Sequence, residues 1–223
     1  MALPFGDRTD AGRALADALR SRDLVRPLVL GVPRGGVVVA APVAEALGTE
    51  LDVIVVRKLG APGHPELGIG AIGPWGEPWL DQRLIAILGV SDDFLDREVE
   101  EQRAEARRRV QAYRGDRPAL DVRGRDVVVV DDGIATGGTV IAAAKLLRQG
   151  PLSSLILAVP VAPVEGVRRA AEAYDDVVAV HTPEPFYAVG QWYTDFHQTT
   201  DDEVRAVLSA PQRSGGATAP PER

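Results

Sequence analysis

Four consecutive valines, Val127-Val128-Val129-Val130, run straight into two adjacent acids, Asp131-Asp132. A strand that is apolar at every position cannot leave one face in water. It calls for a parallel sheet with helices on both faces. The rest of the chain repeats the pattern. Leu28-Val29-Leu30 predicts a strand that ends in Gly31-Val32-Pro33-Arg34-Gly35-Gly36 and is followed by a helix over 37–47. Val53-Ile54-Val55-Val56 predicts another, ending at Arg57-Lys58, and the strands over 155–159 and 177–180 flank a helix over 164–173. After the acid pair, Thr139 to Arg148 predicts a helix. Near the start, Asp10 is placed to cap a helix carrying Ala14, Leu15, Ala18 and Leu19. The long segment Ser91 to Tyr113 has one apolar stripe (Leu95, Val99, Ala106, Val110, Tyr113) amid dense charge, which reads as a solvated helix covering the domain edge. The Gly/Pro-rich stretch Leu59 to Pro78 is expected to be a loop outside the core. The expected fold is therefore one α/β domain over residues 1–210. A tail, 211–223, has almost nothing to bury and is expected to be disordered.

Composition narrows the chemistry. Only 5% of the 223 residues are aromatic, so the core must be built from Val, Leu, Ile and Ala. With 32 acidic against 25 basic residues the net charge is −7, which argues against broad nucleic-acid binding but leaves room for a local basic pocket. The absence of cysteine removes disulfide scaffolds, thiol nucleophiles and thiolate zinc sites. The first residues lack the basic start and apolar run of a signal peptide, and no stretch reaches the length of a membrane span. The expectation is a cytoplasmic protein. The three histidines lack metal-ligand spacing, and no GxSxG elbow occurs.

In open parallel sheets ligands bind beyond the carboxyl ends of the strands. Three polar, glycine-containing loops fall there: 31–36, 57–73 and 131–139. Adjacent carboxylates at a strand end need cations or hydroxyl donors, and Asp131 and Asp132 suit the two hydroxyls of a ribose with magnesium near. Ala135-Thr136-Gly137-Gly138-Thr139 then leads into a helix N-terminus, where small residues let backbone N–H groups close on a phosphate. The competing reading is an ordinary turn with solvated acids. Gly68-Ile69-Gly70-Ala71-Ile72-Gly73 fits G-x-G-x-x-G, but it neither follows a clear strand nor opens a helix, so it fails as a dinucleotide site.

The stretch VVVVDDGIATGGT resembles the phosphoribosyl pyrophosphate (PRPP) signature of the type I phosphoribosyltransferases, most nearly the adenine-type loop. The hypoxanthine-type loop carries an Asp where this chain has Ala135, which puts hypoxanthine or guanine activity in doubt. The resemblance implies a type I phosphoribosyltransferase-like parallel sheet, helices on both faces and a small hood. It makes Arg34, Gly35 and Gly36 the pyrophosphate loop, and 57–68 the catalytic loop, opening with Arg57 and Lys58 and carrying Glu66 near the base. Gly31 to Gly36 taken alone could also be a simple tight turn, and His64 reads as a solvated loop residue rather than a proton shuttle.

Past the last strand, Phe186, Tyr187, Trp192, Tyr193 and Phe196 gather in a chain poor in aromatics. The resemblance makes this segment a hood, with Trp192 stacking on a base and Asp195 reading its N–H groups. The alternative is a local mini-core anchoring the C-terminus. No Lys stands here to read a 6-oxo group. The function implied is magnesium-dependent transfer of ribose 5-phosphate from PRPP to a nitrogen acceptor. Asp131 and Asp132 would hold ribose and metal, residues 135–139 the 5-phosphate, and Asp132 would share the catalytic role with Arg57, Lys58 and Glu66. Family members are commonly homodimers. The rival reading is a PRPP-sensing regulator without turnover; the retained Arg57-Lys58 pair and the acidic surface lean against it.

Overall fold

The computed structural model describes residues 4–210; the tail expected over 211–223 lies outside them. In chain order the elements are α1 (Arg8–Leu19), β1 (Leu28–Gly31), α2 (Gly35–Leu47), β2 (Leu51–Val53), β3 (Arg57–Ala61), β4 (His64–Ile72) and β5 (Trp79–Leu80). There follow α3 (Gln82–Leu88), α4 (Asp92–Arg114), β6 (Asp126–Val130), α5 (Gly138–Leu147), β7 (Ser154–Val161), α6 (Val164–Ala170), β8 (Asp176–His181) and α7 (Asp201–Ser209). A 3-10 turn spans Val189–Trp192.

Five strands form the main sheet in the order β2-β1-β6-β7-β8, every neighbouring pair parallel. The four valines of β6 are fully buried, and their alternation divides them between two cores. Val128 and Val130 pack with α1, α2, the second half of α4 and α7, while Val127 and Val129 pack with α5 and α6. This sandwich is what the unbroken apolar runs require. Register matters for function: Gly31 pairs with both Val53 and Val130, so β1, β2 and β6 end level and release their loops at one edge.

Several boundaries move. Asp7, not Asp10, caps α1; the Asp7 carboxylate accepts from the Asp10 N–H, while Asp10 reaches back to the Gly6 N–H. The second strand starts earlier than expected and ends at Val53. α3 and α7 had no counterpart in the sequence reading. The larger correction concerns 59–78. Instead of a loop outside the core, β3, β4 and β5 form an antiparallel sheet of their own. Leu59, Ile69 and Ile72 are fully buried there against α3 and the first half of α4. Its glycines allow close approach: a Cβ on Gly70 would stand 2.5 Å from the Trp79 carbonyl oxygen. The G-x-G-x-x-G run lies largely within β4 and opens no helix, which agrees with its dismissal.

The segment after β8 folds back over the N-terminus. Phe5 bridges to Tyr193, and Phe5, Ala11, Val161 and Tyr193 form a small core with Phe186, Val189, Trp192 and Phe196 against it. This is the hood. No described helix is long and apolar enough to cross a membrane.

Candidate active site

The level strand ends bring three loops together. Asp131 and Asp132 follow β6 directly, and the Asp132 N–H donates to Asp131 Oδ1 at 2.9 Å. The loop after β1 presses against them. A Cβ on Gly35 would stand 2.0 Å from Asp132 Oδ2, and one on Gly36 would meet the Val130 carbonyl oxygen at 2.7 Å and the Asp131 Cα at 2.8 Å. A side chain at Gly36 would run into backbone, and one at Gly35 would have to displace the side chains of Asp132 and Arg8. The expected pyrophosphate loop and the expected ribose acids are thus in contact across β1 and β6.

Burial pushes the Asp131 carboxyl well above the ordinary range, and the neighbouring Asp132 charge pushes the same way. Burial also raises Asp132, but a hydrogen bond and charge from Arg8 oppose it. Arg8 Nε lies 2.8 Å from Asp132 Oδ2, with the two side chains 8% and 18% exposed. The Tyr193 hydroxyl donates to the Asp132 carbonyl oxygen at 2.5 Å, and burial raises its own pKa. Arg8 belongs to no motif in the sequence, and Tyr193 stood out only as one of the hood aromatics. The signal for Arg8 was a cation in the first turn of a helix, the end where the helix field disfavours it.

Ala135, Thr136, Gly138 and Thr139 are exposed, and Gly137 takes a left-handed conformation (φ +77°) as the N-cap of α5. No side chain caps α5 and no acid stands in its first turn; the same holds for α2, whose N-cap is Arg34. Two uncapped helix N-termini with unsatisfied N–H groups therefore face the acid-bearing edge. The Pro33–Arg34 peptide is cis. Arg34 lies 3.7 Å from Asp201 and opens on a polar cavity of about 460 Å³, whose other walls include Arg108, Arg109 and Tyr113.

The arm β3–β4 is placed differently. Arg57 donates from Nε and Nη2 to Gln102 Oε1 of α4, at 3.0 and 2.8 Å. Lys58, His64 and Glu66 are exposed. Among the described residues no hydrogen bond or ion pair joins any of the four to Asp131 or Asp132. In the hood, Trp192 stacks on Phe186 with ring centroids 6.2 Å apart, and its buried indole nitrogen has no partner. Asp195 is exposed and accepts from both the backbone N–H and Nδ1 of His197. The aromatic contacts seen are those of a packed mini-core, with Tyr193 between Phe5 and Phe196.

The phosphoribosyl transferase domain family matches residues 8–192. A Mycobacterium tuberculosis protein, named provisionally as a phosphoribosyl transferase, is 44% identical over 209 residues, covering 94% of this chain and 47% of its own length. This chain thus spans about half the length of the curated relatives it matches first. An adenine phosphoribosyltransferase of the same species is 32% identical over 146 residues, covering 66% of this chain and 52% of its own length. Among solved structures, that of TT1426 from Thermus thermophilus superposes with a TM-score of 0.85 at 46% identity, covering 95% of this chain and 99% of that one.

Proposed function

This chain belongs to the phosphoribosyl transferase domain family, and we propose that it transfers ribose 5-phosphate from PRPP to a ring nitrogen of a nucleobase. The observation that carries the reading is the contact of Gly35 and Gly36 with the acid pair beside the uncapped start of α5. Asp131 and Asp132 would accept from the ribose hydroxyls. The N–H groups at 136–139 and the hydroxyls of Thr136 and Thr139 would hold the 5-phosphate. The pyrophosphate would lie along Gly35, Gly36 and the start of α2, with Arg34 at its far end.

In the reaction the C1–O bond to pyrophosphate breaks, its electron pair leaves with the pyrophosphate, and the acceptor nitrogen bonds to C1. The protein positions the two partners and balances the developing charge. Arg34 supplies fixed positive charge at the leaving group. Arg57 and Lys58 would add theirs once the Arg57 side chain releases Gln102, and Glu66 on the same arm would come near the base.

Magnesium fits this donor set in a particular way. Among the described residues no group of three or more ligating side chains occurs. A pair of carboxylates, one lacking a cation partner, suits magnesium that keeps most of its coordination to water and substrate oxygens. Asp131 and Asp132 would hold it, and when bound it would neutralise pyrophosphate charge.

The acceptor side rests on the hood. Ala135 and the lack of a hood Lys disfavour 6-oxopurines, so adenine-like acceptors should outperform hypoxanthine and guanine, with Trp192 stacking on the ring and Asp195 accepting from its N–H groups. The test is a panel of nucleobases with labelled PRPP, scored for pyrophosphate release. Release with adenine-like bases supports the transferase. PRPP binding without release from any base would favour a sensor, a role that the Arg57–Gln102 contact also fits.

A further inference from the structure

Arg8 is buried to 8% exposure at the start of α1. A guanidinium tolerates such burial only when its donors are matched. Two of its nitrogens are matched by parts of the chain far apart in sequence. Nε donates to Asp132 Oδ2 and Nη1 to the His197 carbonyl oxygen, both at 2.8 Å. The guanidinium carbon also lies 3.9 Å from the centroid of the Phe196 ring.

The loop at the start of α2 is shaped around this pair. A Cβ on Gly35 would stand 2.6 Å from Arg8 Nε as well as 2.0 Å from Asp132 Oδ2. Arg8 therefore joins the end of β6, the first residue of α2 and the hood at one point. It also sorts the two oxygens of Asp132. Oδ2 is taken by the guanidinium, whereas Oδ1 has no cation partner among the described residues.

Resting on the reading of Asp132 as a ribose ligand, we propose that Arg8 is a positioning residue that fixes Asp132 with Oδ1 turned to the ribose and ties the acceptor-side hood to the same contact. A charge alone could serve the first task; doing both together needs the fork. A lysine could reach the carboxylate but could not also span the carbonyl and lie flat on Phe196.

The test is a double-mutant cycle read as PRPP affinity by titration calorimetry, with wild type, Arg8→Gln, Asp132→Asn and the double variant. If Arg8 acts through Asp132, Arg8→Gln weakens PRPP binding by about tenfold in the wild-type background and by less than about twofold beside Asp132→Asn. Equal losses in both backgrounds would overturn the proposal, since a general support of the hood gives additive effects. Arg8→Lys supplies a second reading, and decides alone if Arg8→Gln does not fold. PRPP affinity should return to within about threefold while the KM for the acceptor rises. Both parameters unchanged, or both lost together, would contradict it. Wild-type protein that binds no PRPP at all would refute the ribose reading itself, which is a different result from additivity.

Discussion

The socket at the end of β6 and the arm formed by β3 and β4 carry the two halves of the proposed chemistry, and they are built in opposite ways. In the socket, Gly35, Gly36, Asp131, Asp132 and Arg8 interlock so closely that a methyl group would strike backbone at Gly36 and push Asp132 and Arg8 aside at Gly35. The arm has its own small core, leaves residues 62–68 exposed, and commits its leading cation to Gln102. On the proposed reading a preorganised socket would bind without rearrangement, whereas Arg57 would have to leave Gln102 before it could act. Affinity for PRPP should therefore reside in the socket and turnover in the arm.

The sharpest way to break that division is Gly35→Ala. Its Cβ collides with Asp132 and Arg8, so PRPP affinity should fall on the order of a hundredfold, and stability by about 1–3 kcal/mol. Calorimetry and thermal melting would read both. A variant that binds PRPP normally would show that the socket is looser than its contacts imply.

A smaller effect is expected on the arm. Arg57→Ala together with Lys58→Ala should lower turnover by roughly tenfold, less than the loss of a buried donor, with PRPP affinity kept within about threefold. An affinity loss as large as the turnover loss would place the arm in the ground-state site and erase the distinction.

Smaller still is the hood. Trp192→Ala should raise the acceptor KM several-fold, the scale of about 1 kcal/mol for an aromatic stack, and leave PRPP binding alone. Equal loss of both with a lowered melting temperature would assign Trp192 to the mini-core that Phe186 already suggests.

The subtlest test uses stability in the unliganded, metal-free protein. The folded state raises the Asp131 pKa above its ordinary 3.8, so it binds that proton more tightly than the unfolded chain does. Stability attributable to this group is therefore greatest at low pH and falls as pH rises from about 4 through the raised value. Asp131→Asn should remove this slope and stabilise the neutral-pH protein by roughly 0.5–2 kcal/mol, while weakening PRPP binding. A lower melting temperature at neutral pH would mean that the carboxylate is satisfied within the fold.

The same contrast explains what could be read from the sequence. The socket was legible because its parts are contiguous: buried strand, acids, small residues and helix start all lie between Val127 and Thr139. The loop after β1 was legible for the same reason, and parallel pairing then brought the two together. The arm was not. Its strands hold glycines that lower β propensity, and what makes them strands is close cross-strand approach plus a covering layer from α3 and α4. Arg8 was hidden by distance, since Asp132 lies 124 residues away. Trp192 stood out by composition and Asp195 only as a carboxylate beside it, yet composition cannot separate packing from recognition.

The central claim is that Asp131 and Asp132 form a ribose socket, and it is tested most directly by titrating wild type and the Asp131→Asn/Asp132→Asn double variant with PRPP, with and without magnesium. Each charge-assisted contact contributes about 1.5–3 kcal/mol. Wild type should bind PRPP with a clear magnesium dependence, and the folded double variant should bind more than tenfold less tightly with that dependence flattened. Unchanged PRPP binding by the double variant would contradict the account.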